Sequence, residues 1–252
     1  MSVPSDQSDL SVSTGAFELL PQEGETRQLF ILLHGVGATP ASMRPLADAL
    51  RASFPQAAIL APAGFEPYDG HRGDRGDLGG QGKRQWFSVR GVDEANRPAR
   101  VVQALPPLVE YIRASQARFH LLQSDTALAG FSQGAIMALE AVVAHDGLAG
   151  RVLAFSGRYA SVPQWAPQYT TIHLLHGAND TVMPVALAEQ AQARLNELHG
   201  DSTIDVATRV GHELHPALIA RAIVRLQTCV PLRSWEAALG LNQHPPSGSV
   251  IH

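Results

Sequence analysis

Apolar runs of strand length alternate with longer segments of helical periodicity along most of the chain. The runs are largely continuous and contain β-branched residues, which is typical of strands that are covered on both faces. They predict strands over residues 28–34, 57–62, 125–131, 151–157, 170–177 and 203–210. The helical patterns fall at residues 40–52, 98–116, 133–145, 185–199 and 214–226, with a short one near 232–239. This order predicts an α/β fold with a mostly parallel central sheet and helices on both faces.

Two kinds of segment fall outside this alternation. The stretch YDGHRGDRGDLGGQGKRQ (68–85) is rich in glycine and charge and predicts a long surface loop. Residues 1–15 and the tail 240–252 are expected to be flexible. No internal repeat or compositional break divides the remainder, so we expect residues 16–239 to form a single domain.

Composition narrows the classes of partner. The 252-residue chain is 45% apolar, which suits a large core, and its net charge of −4 comes without a densely basic stretch. We therefore expect no nucleic-acid binding. The single cysteine, Cys229, excludes an internal disulfide, and its apolar neighbours predict a buried thiol at a helix end. Neither a signal-peptide pattern nor an 18-residue apolar run is visible, so we expect a cytoplasmic protein without membrane insertion.

The segment GFSQGAIMALE places Ser132 between a predicted strand and a predicted helix. A serine at such a junction, with glycine two residues before and two after, has the pattern of the nucleophile elbow of α/β-hydrolases. Side chains at Gly130 and Gly134 would clash where the strand and helix backbones approach each other. The alternative is an ordinary glycine-rich turn, in which Ser132 has no chemical role.

A serine nucleophile needs a general base and a group that orients the base, in the chain order Ser, Asp or Glu, His in this fold. LLHGANDTVMP supplies Asp180 and ATRVGHELHP supplies His212, both just past the carboxyl ends of predicted strands. Each has an alternative: Asp180 could organise a turn, and His215 lies close enough in sequence to replace His212 as the base.

Another predicted strand ends in LLHGVGATPASM, a segment that we expect to supply part of an oxyanion hole. The backbone N–H groups of Val36 and Gln133, the residue after the nucleophile, are the expected donors. Gly35 and Gly37 would let this loop approach the substrate closely. We expect His34 to orient or stabilise the loop rather than act as a base. None of the eleven histidines shows a zinc-binding spacing such as H-E-x-x-H, so no metal is expected.

Together, FILLHGVGATPASM, GKRQWFSVRG, GFSQGAIMALE, LLHGANDTVMP and GHE resemble, in this order, the phospholipase/carboxylesterase family, in its branch of small bacterial esterases. The resemblance covers residues 25–230. It implies an α/β-hydrolase fold, a serine esterase that needs no cofactor, and Ser132, Asp180 and His212 as the triad.

The resemblance also implies that Trp86 flanks the acyl pocket, although packing of its loop onto the body explains a tryptophan there equally well. Met183 is the second candidate for substrate binding. Polar residues in the 68–85 loop favour short acyl esters of small molecules. The alternatives are an acyl-protein thioesterase or lysophospholipase and a catalytically silent protein that binds a ligand. The expected assembly is a monomer or a homodimer.

Overall fold

The computed structural model describes residues 15–21, 24–70, 82–231 and 233–234. Five α-helices lie within these ranges: α1 (Arg44–Ser53), α2 (Arg97–Phe119), α3 (Gln133–Ala144), α4 (Ala186–Glu197) and α5 (Pro216–Thr228). The strands within the same ranges are β1 (Phe17–Leu19), β2 (Gln28–Leu33), β3 (Ala57–Ala61), β4 (Glu66–Pro67), β5 (Arg84–Gln85), β6 (Thr126–Phe131), β7 (Arg151–Phe155), β8 (Thr171–Gly177) and β9 (Ser202–Ala207).

The central sheet has the strand order β1-β3-β2-β6-β7-β8-β9. All neighbouring pairs are parallel except β1 and β3. Each face of the sheet has its own apolar layer. Residues of α2, α3 and α4 pack on one face, and residues of α1 and α5 pack on the other. The mostly parallel sheet with helices on both faces is therefore confirmed.

The apolar runs are continuous because both faces of the strands are buried. In β2, Leu29, Ile31 and Leu33 point into the layer beneath α3, whereas Phe30 and Leu32 point towards α1 and α5. All five are at most 3% exposed. At roughly 25 cal/mol per Å² of apolar surface, burial of side chains such as these supplies the main favourable free energy of folding.

Three short strands escape sequence prediction. β1 is a three-residue edge strand that pairs with β3, and β4 and β5 form a separate two-stranded sheet. Segments this short cannot display a period of two, so only their tertiary partners define them. Residues 84–85 were expected to belong to the surface loop 68–85; they form β5 instead, and Gln85 is buried. Residues 71–81 of that loop lie outside the described residues.

Several element ends also differ from the prediction. The last strand ends at Ala207 rather than at residue 210, and residues 40–43 form a 3-10 helix that precedes α1. Cys229 does cap the end of α5, but it is half-buried rather than buried. Of the short helix expected at 232–239, residues 233 and 234 are described and helical. The expected flexible ends, 1–15 and 240–252, lie outside the described residues apart from Gly15.

Candidate active site

Ser132 occupies a sharp turn between β6 and α3. Its φ of 54° and ψ of −115° are unusual for a residue with a side chain and indicate backbone strain. The Ser132 N–H donates to the Phe155 carbonyl of β7 at 2.9 Å, and this bond fixes the turn against the neighbouring strand. A Cβ atom at Gly130 would overlap the Gly134 carbonyl, and one at Gly134 would overlap the Leu33 carbonyl. The expected steric reason for both glycines is therefore present.

The side chains of Ser132, His212 and Asp180 form one hydrogen-bonded chain. His212 Nε2 lies 2.9 Å from Ser132 Oγ, and His212 Nδ1 lies 2.7 Å from Asp180 Oδ2. Ser132 and Asp180 are 7% and 6% exposed. The three residues that the sequence singled out from distant segments thus meet in space, in the order that a nucleophile, its base and an orienting acid require.

Backbone contacts between two loops bring Asp180 and His212 together. β8 and β9 are neighbouring parallel strands, so the loops that follow them emerge at the same edge of the sheet. Ala178 N–H donates to Ala207 O at 2.9 Å, and Asn179 N–H donates to Val210 O at 2.8 Å. These bonds hold the Asp180 loop against the residues that lead into His212.

Asp180 is held in its ionised form by its hydrogen bonds. Burial, the largest single influence, would raise the pKa of this carboxyl. Hydrogen bonds from Met183 N–H, the His212 ring and Val182 N–H, together with the charge interaction with His212, outweigh burial, and the pKa is lowered. Oδ1 accepts from Val182 N–H at 3.0 Å and from Met183 N–H at 2.7 Å, which leaves Oδ2 for His212. Asp180 therefore has both a local structural role and contact with the candidate base.

His215, the alternative base, lies at the start of α5. Its Nδ1 accepts a hydrogen bond from Ala217 N–H at 3.1 Å, so the ring caps the helix. Its hydrogen bond is therefore to the helix, whereas the His212 ring contacts both Ser132 and Asp180. Phe131 packs on the His212 ring, with the ring centroids 5.0 Å apart.

Val36 and Gln133 lie just past the ends of β2 and β6, which are adjacent strands. Gly37 N–H, next to Val36, donates to Arg84 O at 2.9 Å. By contrast, no backbone acceptor is found for the N–H groups of Val36 and Gln133 within the part of the chain that the structure describes. Two N–H groups that follow neighbouring strands are thus available for a developing negative oxygen.

His34 is fully buried, and both ring nitrogens have partners. Nε2 accepts from Gly64 N–H at 2.9 Å, so the proton resides on Nδ1, which lies 2.8 Å from Gly35 O. Burial is the main cause that lowers the pKa of His34, and the ring is neutral near pH 7. These contacts agree with the expected orienting role.

Trp86 and Met183, the two candidates for substrate binding, both lie beside this constellation. Trp86 is 1% exposed, and its indole N–H donates to His34 O at 2.8 Å. Met183 is half-buried, and its backbone N–H binds Asp180. Contact of either side chain with substrate remains a prediction.

Two side chains in this region were not anticipated from the sequence. His176, near the end of β8, is buried; its Nε2 lies 2.6 Å from Met183 O and 3.5 Å from Asp180 Oδ2. The Gln133 side chain binds the backbone of the Trp86 segment. Both residues stand inside the motifs already noted, so proximity to Asp180 and Ser132 in sequence was the available signal.

Metal-binding side chains do not gather in the described ranges: no group of three or more His, Cys, Asp or Glu residues there could hold an ion. Among the helices of those ranges, none is long and apolar enough to cross a bilayer.

Comparison with known proteins places this chain in a family. The sequence profile described as phospholipase/carboxylesterase matches residues 15–230. Esterase YpfH of Escherichia coli (strain K12) is 40% identical over 213 residues, which cover 84% of this chain and 88% of that protein. The chain belongs to the phospholipase/carboxylesterase family. The resemblance found in its motifs is thereby confirmed.

Solved structures agree with the expected fold. The crystal structure of esterase PE8 superimposes with a TM-score of 0.75 at 26% identity and covers 85% of this chain and 98% of its own. The Bacillus cereus carboxylesterase superimposes with a TM-score of 0.67 at 16% identity, over 84% of this chain and 92% of its own, and supports the fold alone. The α/β-hydrolase fold is confirmed.

Proposed function

We propose that this chain is a serine carboxylesterase that hydrolyses small, short-acyl carboxylic esters through an acyl-enzyme intermediate. The observation that carries the proposal is the continuous hydrogen-bonded chain from Ser132 through His212 to Asp180, located at a strained strand-to-helix turn. Membership of the phospholipase/carboxylesterase family and the similarity to a protein named esterase YpfH support ester hydrolysis as the reaction class.

The first half-reaction forms the acyl-enzyme. Ser132 Oγ attacks the ester carbonyl while His212 Nε2 takes the hydroxyl proton. The backbone N–H groups of Val36 and Gln133 bind the oxyanion of the tetrahedral intermediate. His212 then gives the proton to the leaving alcohol as the carbon–oxygen bond breaks.

The second half-reaction releases the acid. His212 removes a proton from water, which attacks the acyl carbonyl, and the proton then returns to Ser132 Oγ as the acyl group leaves. Asp180 holds the His212 tautomer with the proton on Nδ1 and stabilises the imidazolium that forms twice in the cycle. The lowered pKa of Asp180 supports this role, because the carboxylate must stay ionised.

The substrate class is tested with p-nitrophenyl esters of two to sixteen carbons and with thioesters of the same acyl groups. We expect kcat/KM to be highest for short acyl esters, and Ser132→Ala to be inactive on all of them. A maximum at long chains or at thioesters would favour a lysophospholipase or acyl-protein thioesterase. Absence of turnover on every substrate by the purified wild-type chain would favour a catalytically silent binding protein.

A further inference from the structure

Residues 84–87 lie between the two loops that carry the proposed oxyanion donors. On one side, Arg84 pairs with the loop after β2: Gly37 N–H donates to Arg84 O at 2.9 Å, and Arg84 N–H donates to Ala38 O at 3.0 Å. These bonds adjoin Val36 directly. The 84–87 segment is thus attached to the first donor loop through its backbone.

The Trp86 indole adds a second bond to the same loop. Its Nε1–H donates to His34 O at 2.8 Å, two residues before Val36. The ring lies against the His34 ring, with the centroids 5.3 Å apart, and Phe65 meets it edge-on at 5.4 Å. At 1% exposure, Trp86 offers little surface to an acyl chain.

On the other side, the same segment is bound by the first residue of α3. Gln133 Oε1 accepts from Trp86 N–H at 2.8 Å, and Gln133 Nε2 donates to Phe87 O at 2.8 Å. The Gln133 side chain is buried, so both bonds are shielded from water. The residue whose backbone supplies the second donor therefore holds the segment with its carboxamide.

We propose that Trp86 and the Gln133 carboxamide are positioning residues that brace the two halves of the oxyanion hole at a fixed separation. The Trp86 indole binds residues 84–87 to His34, and the Gln133 carboxamide binds them to α3. The segment thereby sets the distance between Val36 N–H and Gln133 N–H. This inference rests on the proposed ester hydrolysis, and it assigns Trp86 a different role from lining the acyl pocket.

The brace acts on the transition state alone. Misplacement of an oxyanion donor weakens a bond to the charge that develops during attack, so kcat and kcat/KM fall together while KM changes little. A pocket wall acts through binding of the acyl chain and alters the preference for chain length. The two roles therefore give different kinetic signatures.

The test compares two variants that break the brace at different points. Trp86→Phe removes the indole N–H, and Gln133→Met removes both amide contacts but keeps the backbone N–H of residue 133. Trp165→Phe is the matched control, because this exposed indole N–H donates to Val143 O at 3.2 Å, which is likewise a bond to a backbone carbonyl. We expect each brace variant to lower kcat about 10- to 100-fold.

In both brace variants KM should stay within about threefold of wild type, the order of preference along the ester series should be unchanged, and Trp165→Phe should be close to wild type. A trifluoromethyl ketone, whose adduct with Ser132 carries the oxyanion, should lose affinity in parallel with kcat.

Near-normal kcat in Gln133→Met overturns the brace, even if Trp86→Phe fails to fold. So does a loss that appears in KM and grows with chain length, which would make Trp86 a pocket wall. Absence of ester hydrolysis by the wild-type chain would instead overturn the proposed function, and the two failures are therefore distinct.

Discussion

Two imidazoles lie near opposite ends of β8 and have very different surroundings. His173, near its start, is fully buried, and its Nδ1 lies 2.9 Å from Thr203 Oγ1. Among the residues that the structure describes, its buried Nε2 has no hydrogen-bond partner. Beyond the other end, Asp180 binds His212, whose second nitrogen reaches Ser132. Both rings lie in the protein body, but His212 alone has a carboxylate on one nitrogen and a hydroxyl on the other.

The electrostatic surroundings of His173 disfavour its charged form. Burial is the main cause that lowers the pKa of His173 to about 4, and the nearby Arg151 and Arg225 add to the effect more than Asp201 and Asp205 oppose it. His173 is therefore kept neutral, because the two nearby carboxylates do not offset burial and the two arginines. Burial and nearby positive charge together keep the His173 imidazole neutral, whereas the proposed base, His212, has an ionised carboxylate as its direct hydrogen-bond partner.

Removal of the proposed nucleophile should have the largest effect on turnover. Ser132→Ala deletes the hydroxyl that His212 contacts, so the acyl-enzyme route closes although the oxyanion donors remain. We expect kcat to fall by on the order of 10⁴ or more, with an unchanged far-ultraviolet circular dichroism spectrum. Retention of most esterase activity would remove Ser132 from the mechanism.

His212→Ala, which removes the proposed base, should be about as damaging as Ser132→Ala and lower kcat by on the order of 10⁴. His215→Ala is the matched control, because His215 lies three residues away and binds a backbone N–H of α5 instead of Ser132. We expect it to cost at most about 1 kcal/mol of helix capping and to leave kcat/KM nearly unchanged. If steady-state kinetics gave the opposite order of losses, the base would be His215.

Asp180→Asn separates orientation from packing. The amide oxygen can still accept from Val182 and Met183, so the loop is retained, but an amide N–H would face His212 Nδ1, which must also donate. The equivalent change in trypsin costs about 10⁴-fold. We expect a loss of about 10³- to 10⁴-fold in kcat here, because esters are easier to cleave than amides. Near-normal turnover would point to another acid.

Below neutral pH, the decline of kcat/KM should follow the uptake of a single proton. The lowered pKa of Asp180 keeps that carboxylate charged, and the lowered pKa of His34 keeps that ring neutral, as the pH falls below neutrality. With both groups fixed in charge, log kcat/KM for a neutral ester should fall with a limiting slope of about one. A slope of two, measured where the protein is still folded, would show that a second group titrates.

His173 should affect the stability of the fold and not turnover. The folded pKa of His173, about 4, lies below the ordinary value of 6.5, so the unfolded chain takes up the proton first as the pH falls. Stability is therefore fully present above about pH 6.5 and declines towards pH 4. Between pH 7 and pH 5 this group should cost about 2 kcal/mol in the free energy of unfolding.

Urea denaturation of His173→Asn at both pH values measures this contribution. The amide can still bond to Thr203 but does not titrate, so the variant should lose less stability on acidification than wild type. Substitution of the exposed His120 by Asn is the control and should leave the pH dependence as in wild type. Equal pH dependence in wild type and His173→Asn would contradict the account, as would a large change in kcat at pH 7.

The sequence predicts Ser132, Asp180 and His212 as a site because each follows an apolar strand, and the carboxyl ends of parallel strands meet at one edge of a sheet. It could not assign the His176 contact with Met183 O or the amide clasp of Gln133, because these depend on distances between loops that no periodicity encodes. β4 and β5 escaped for the same reason, since two-residue strands exist only through their pairing. Side-chain contacts and very short strands depend on tertiary structure, whereas the ends of long apolar strands are visible in the sequence.

If His212 acts as a base and His173 does not, Ser132 should be a reactive nucleophile. A fluorophosphonate probe measures the reactivity of Ser132. We expect one adduct per chain, mapped by mass spectrometry to the peptide that contains Ser132. Labelling should be absent in Ser132→Ala, much slower in His212→Ala and unchanged in His215→Ala and His173→Asn. An adduct on another residue, undiminished labelling of Ser132→Ala, or no labelling of the wild-type chain would contradict the proposed mechanism.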